Sequence, residues 1–132
     1  MKRTEQREHI FKLIFGADFN EAAEQGTQAE LYFEQIEGVT EKDMQYISEK
    51  AQKVVEKIDT IDAMINEHAT GWKTGRMNKV DLTILRLAVY EMKWDEDVPT
   101  GVAINEAVNL AKKYSSEDGA SFVNGVLAKL AD

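Results

Sequence analysis

The stretch Asn78–Met92, NKVDLTILRLAVYEM, decides the fold. Val80, Leu82, Ile84, Leu85, Leu87, Ala88, Val89 and Met92 place apolar groups most of the way round a helix. So little polar face marks a helix buried on several sides, in the middle of a larger helical protein. Asn78 suits an N-cap, and Asp81 falls in the first turn, where a carboxylate is favoured by the helix dipole. From Val80 onward only Asp81, Arg86 and Glu91 interrupt the apolar surface with charge, at spacings of five residues. That spacing turns each in a different direction rather than gathering one site. The pattern predicts a central core helix with polar edges; the alternative is that part of its surface docks a partner.

Working outward, the flanking segments keep helical spacing. Thr4 is placed to cap a first helix to about Asp18, with Ile10, Phe11, Ile14 and Phe15 on one face. After Gly26, Thr27-Gln28-Ala29-Glu30 has a capping-box pattern, opening a second helix with Leu31, Phe33 and Ile36 that ends at Gly38. Thr40 caps a third, carrying Met44, Ile47, Ala51, Val54, Val55 and Ile58. Asp59 with Asp62 predicts a fresh N-cap, hence a break and a short fourth helix to about His68. The loop from Thr70 to Arg76 has two glycines but neither the Gly-Lys-Ser/Thr ending nor the preceding strand of a phosphate loop. Beyond the central helix, Trp94 to Thr100 is an acidic turn. A sixth helix runs from about Gly101 to Lys113, Ser115 to Gly119 form the last turn, and Phe122, Val123, Val126, Leu127 and Leu130 line a seventh. The fold class expected is all-α, with about seven helices.

At 132 residues the chain suits one domain with a real core. It has no cysteine, so thiolate chemistry and a disulfide framework are excluded. No signal peptide pattern follows Met1 and no apolar run is long enough for a membrane span, which predicts a cytoplasmic protein without a membrane partner. The net charge of -8 resides in residues 21–70, which carry four basic and twelve acidic side chains. The two ends are near neutral, which leaves room for local basic patches. His9 and His68 lie on different helices without ligand spacing, so no metal site is expected; His9 reads as a surface residue and His68 as a helix-end cap. No nucleophile and base, paired carboxylates or metal cluster assembles. The expectation is a binding module, not an enzyme, with no cofactor.

Ile58-Asp59 with Ile61, Trp72, Val80-Asp81, Ile84-Leu85-Arg86-Leu87-Ala88 and Tyr90-Glu91 form a recognisable series. Val98-Pro99, the run VAINEAV from Val102, Leu110-Ala111-Lys112 and the run FVNGVL from Phe122 continue it. With these residues the chain resembles the NusB family of bacterial antitermination factors; between residues 20 and 57 only the helix pattern matches. The resemblance implies a single helical domain, 1–132, of two small packed subdomains divided at about 57/58. It also implies an adaptor that binds a short single-stranded boxA RNA element together with a ribosomal protein, NusE. Such complexes keep RNA polymerase from terminating, notably on ribosomal RNA operons.

Carried over by position, the RNA-binding residues the resemblance implies are Lys2, Arg3, Gln6 and Arg7 with Lys112, Lys113, Tyr114, Ser116 and Asp118. Lys2, Arg3 and Arg7 would meet phosphates, Tyr114 would offer a stacking plane and Asp118 would accept from a base amino group. The chain departs from the family in having Thr4 and Glu5 where more arginines are usual, and Ser121 where a basic residue is common. Fewer cations release fewer counterions, so RNA binding by the protein alone is expected to be modest. For NusE, Arg76, Asp81 and Arg86 are implied, with Asp81 as a surface carboxylate facing a basic partner. Asn105, Glu106 and Asn124 are expected to make buried hydrogen bonds between helices. Two alternatives stay open: an RNA-binding domain related to that of an RNA methyltransferase, and a homo-oligomeric interaction module, a homodimer included.

Overall fold

The structure, a computed structural model, describes residues 1–17, 31–68 and 73–131. The described residues are helical: α1 (Arg3–Ala17), α2 (residues 31–34), α3 (Glu41–Glu56), α4 (Ile58–His68), α5 (Lys79–Trp94), α6 (Thr100–Tyr114) and α7 (Glu117–Ala131), with a 3-10 turn at Thr74–Arg76. The all-α expectation and its seven helices hold among these residues. The capping box at Thr27–Glu30, the break at Gly26 and Trp72 lie outside them. No helix of the described residues is long and apolar enough to cross a membrane.

The chain divides into two compact units, Met1–Val55 and Glu56–Asp132. In the second, α5 packs against α4, α6 and α7, and α6 lies along α7. Every residue of α5 from Asp81 to Glu91 is buried, charged ones included. Its start is as expected: the Asn78 side chain accepts from the Asp81 backbone N–H at 2.8 Å and donates its amide to Asp81 Oδ2 at 2.9 Å. Ile61 and Ile65 of α4, Ala111 of α6 and Val123 and Leu127 of α7 complete this core. In the first unit, Ile10, Phe11 and Ile14 of α1, Phe33 of α2 and Ile47, Ala51 and Val54 of α3 are buried.

Several boundaries differ from expectation. Thr4 lies inside α1 rather than capping it. The break between α3 and α4 falls at Lys57, ahead of Asp59. Asp62, expected as part of a fresh cap, instead holds Arg86 side-on across the unit, with Nε–Oδ1 2.9 Å and Nη2–Oδ2 2.7 Å. The last turn is only Ser115–Ser116. Ser116 caps α7 by accepting from the Gly119 N–H at 2.9 Å, which places Glu117 and Asp118 in the helix's first turn. Thr40 caps α3 as expected, accepting from the Asp43 N–H at 3.1 Å.

Candidate nucleic-acid interface

Each unit carries one set of the expected RNA-binding residues. In the first, Lys2 and Arg3 are exposed at the start of α1, whereas Gln6 and Arg7 are buried at 8% and 7% exposure. Arg7 follows the same helical phase as Ile10, Phe11 and Ile14 and is engaged within the protein, so it is not the displayed cation that was expected. Gln6 points inward too: its amide donates to Asp43 Oδ1 at 2.9 Å, and its oxygen accepts from Arg3 Nη1 at 3.1 Å. Asp43 also accepts from the Thr40 hydroxyl at 3.0 Å and lies 3.4 Å from the Met1 amino group. The Gln6 bond, ahead of the Thr40 contacts, holds the Asp43 carboxyl below its ordinary range, so it is ionised at neutral pH. The Arg3 guanidinium lies over the Tyr46 ring, 4.3 Å from its centroid.

In the second unit, α6 delivers Lys112 and Lys113, both exposed, in its last turn, where cations suit the negative end of the dipole. Tyr114 is half-buried with the Lys113 ammonium 5.5 Å from its ring centroid. Ser116 and Asp118 are exposed on the cap and first turn of α7. Two cations, an aromatic face, a hydroxyl and a carboxylate thus occupy one short helix-to-helix turn. Such a set offers phosphate contacts, stacking and base-edge acceptance to a single strand.

Asp81 and Arg86 are not surface groups. Asp81 is 6% exposed, one oxygen held by Asn78 and Oδ1 without a hydrogen-bond partner. That oxygen abuts the first turn of α7, where a Cβ on Gly119 would stand 3.0 Å from it and 2.2 Å from Ser115 Oγ. The expectation of Asp81 as a surface carboxylate is therefore corrected: it lies in the first turn of α5, holds the side chain of the Asn78 cap and fills the approach between α5 and α7. Asp81→Lys would disturb the fold before it tested any interface. Arg86 is 6% exposed and paired with Asp62; of the three residues expected to meet a protein partner, Arg76 alone is exposed. Gly119→Ala, which pushes a methyl into this contact, is expected to destabilise by about 1–2 kcal/mol in spite of alanine's better helix propensity. Gly125→Ala, on an open face of the same helix, should be neutral or stabilising. Thermal melts of the two variants check the contrast.

Asn105 and Asn124 are exposed and Glu106 is half-buried, so the expected buried bonds between helices are corrected for the two asparagines. Asn105 sits two residues from both Ala103 and Ala107, off the buried stripe of α6. His9, expected at the surface, is half-buried, its Nδ1 2.5 Å from the Tyr32 hydroxyl; burial lowers its pKa. His68 Nδ1 meets the Met64 carbonyl at 3.0 Å, in keeping with a helix-end role. Tyr46 and Asp43 were missed, because nothing local in the sequence links them to Arg3. Among the described residues no His, Cys, Asp or Glu cluster could hold a metal ion.

Comparison with known proteins extends over the whole chain. The family profile described as NusB family matches residues 4–132. The transcription antitermination protein NusB of Agathobacter rectalis is 50% identical over 131 residues, 99% of this chain and 100% of that protein. The fold is similar to that of T. maritima NusB, with a TM-score of 0.85 and 32% identity over 99% of this chain and 91% of that one. It is also similar to a chain in a structure of antitermination factors NusB and NusE with dsRNA, with a TM-score of 0.81 and 25% identity over 99% of this chain and 98% of that one.

Proposed function

The chain belongs to the NusB family, and from that premise we propose that it is an RNA-binding transcription antitermination adaptor, not an enzyme. It takes a boxA-like single-stranded RNA together with ribosomal protein NusE, on ribosomal RNA operons, as part of an RNA polymerase antitermination complex in the cytoplasm. The whole chain, residues 1–132, acts as one functional domain. The observation that supports its RNA-binding antitermination part is the full-length likeness to a chain in a structure of antitermination factors NusB and NusE with dsRNA. The chemistry of the Lys112–Asp118 turn supports it.

Lys2 and Arg3 in the first unit and Lys112 and Lys113 in the second are exposed and take phosphates. Tyr114 stacks on a base, Ser116 adds a hydroxyl and Asp118 accepts from a base amino group. Gln6 and Arg7, both buried, support the start of α1 from within the first unit. NusE docks near Arg76, with Asp81 and Arg86 shaping the helix behind it.

With three or four phosphates neutralised at about 0.7 each, log affinity for RNA should fall with log salt at a slope of about -2 to -3. Lys112→Ala with Lys113→Ala should flatten that slope by about 1.4 and weaken matched and scrambled RNA alike. Tyr114→Ala or Asp118→Ala should instead reduce the preference for the matched element. A salt series with both RNAs and NusE present measures all three. An unchanged slope in the double lysine variant would remove the α6–α7 turn from the RNA face.

A further inference from the structure

The start of α1 holds an exposed cation in a place that does not favour one. Arg3 is the first residue of α1, at the positive end of the helix dipole, where a guanidinium is mildly disfavoured. Nevertheless two residues hold it directly. The Tyr46 ring of α3 lies under the guanidinium at 4.3 Å, and Gln6 accepts from Nη1 at 3.1 Å. Gln6 is itself oriented by the ionised Asp43 at 2.9 Å, which forces its oxygen towards Arg3. Asp43 in turn is tied to Thr40 at the cap of α3. The Tyr46 hydroxyl also accepts a long contact from the Lys50 ammonium at 3.4 Å, but it is the ring face that meets Arg3.

We propose that Tyr46 is a positioning residue for RNA binding, its ring and the Gln6 amide holding the exposed Arg3 guanidinium pre-set for a phosphate of single-stranded RNA. The inference rests on the RNA-binding function proposed above and adds to it a residue outside the sets the family resemblance supplied. A long arginine side chain ordinarily loses rotamer freedom when it grips a ligand, and a side chain already immobilised loses less on binding. A guanidinium presents five N–H donors and Gln6 engages one, so the pair leaves the fork geometry that suits phosphate. A purely structural role, stitching α1 to α3 within the unit, would show in stability and not in RNA affinity at temperatures where every variant is folded.

The test uses the full-length protein with NusE, a boxA-like RNA and a scrambled RNA of equal length, well below each variant's melting temperature. Tyr46→Leu should weaken both RNAs by about two- to five-fold, the size of an exposed cation–π contact. Tyr46→Phe keeps the ring and should restore wild-type affinity. Arg3→Ala should weaken binding at least as much as Tyr46→Leu, and the double variant should bind no worse than Arg3→Ala, because Tyr46 acts through Arg3. Wild-type affinity in Tyr46→Leu, failure of Tyr46→Phe to restore it, or losses that multiply in the double variant would overturn the proposal. An inert Arg3→Ala beside a weakened Lys112→Ala, Lys113→Ala variant would overturn it while the RNA-binding function stood. If all of these bound like wild type, the RNA face itself would be wrong.

Discussion

Leu85→Ala is expected to lower the stability of the protein by about 3–5 kcal/mol, and Leu87→Ala by a similar amount. Leu85 is 0% exposed and Leu87 1%, within the run from Asp81 to Glu91 that is buried on every face. Truncation there removes the transfer energy of the deleted carbons and leaves a cavity. Helices α4, α6 and α7 all bear on α5, so no neighbour is free to collapse into the gap. Denaturant titration should show a lower midpoint with an unchanged slope, since the surface exposed on unfolding stays the same. An unchanged midpoint would refute the central position of this helix.

Asp62→Ala is expected to cost about 3 kcal/mol. Removing one partner of a buried ion pair takes away counter-charge the other depends on, and such losses run to about 3–5 kcal/mol. The Arg86 side chain is 7% exposed but Asp62 is 21%, which admits some water and places the loss at the lower end. Replacing both, Asp62→Leu with Arg86→Met, should recover much of the loss, because a pair of apolar side chains leaves no charge to solvate. A double-mutant cycle by thermal or chemical denaturation reads this coupling. Simple additivity of the two single losses would show that Asp62 and Arg86 do not act as a pair.

What the sequence made legible was local chemistry and helical phase. Asn78, Asp81 and the apolar run after them fix the start and the burial of α5 through contacts three or four residues apart. Thr40 with Asp43 does the same for α3. Partners distant in sequence were not legible: nothing near Arg86 points to Asp62, twenty-four residues away, and nothing near Arg3 points to Tyr46. Residue type also misled where phase was the better guide. Arg7 stands three residues before Ile10 and four before Phe11, on the buried stripe, and was expected at the surface because it is charged. Asp81 was misplaced for the same reason. Asn105 and Asn124, polar residues within apolar runs, were expected inside but occupy the open side of their helices. Lys112, Lys113, Ser116 and Asp118 were expected to be displayed to a ligand, and they are exposed.

Binding of RNA together with NusE is the function proposed for this chain. Its most direct test is calorimetric titration of the full-length protein, at one fixed salt concentration, with boxA-like RNA in the absence and presence of NusE. A one-to-one complex with NusE, modest RNA affinity for the protein alone and clearly tighter binding of the matched RNA once NusE is present are the predicted results. Absence of a complex with NusE, or an RNA affinity that NusE leaves unchanged, would contradict it.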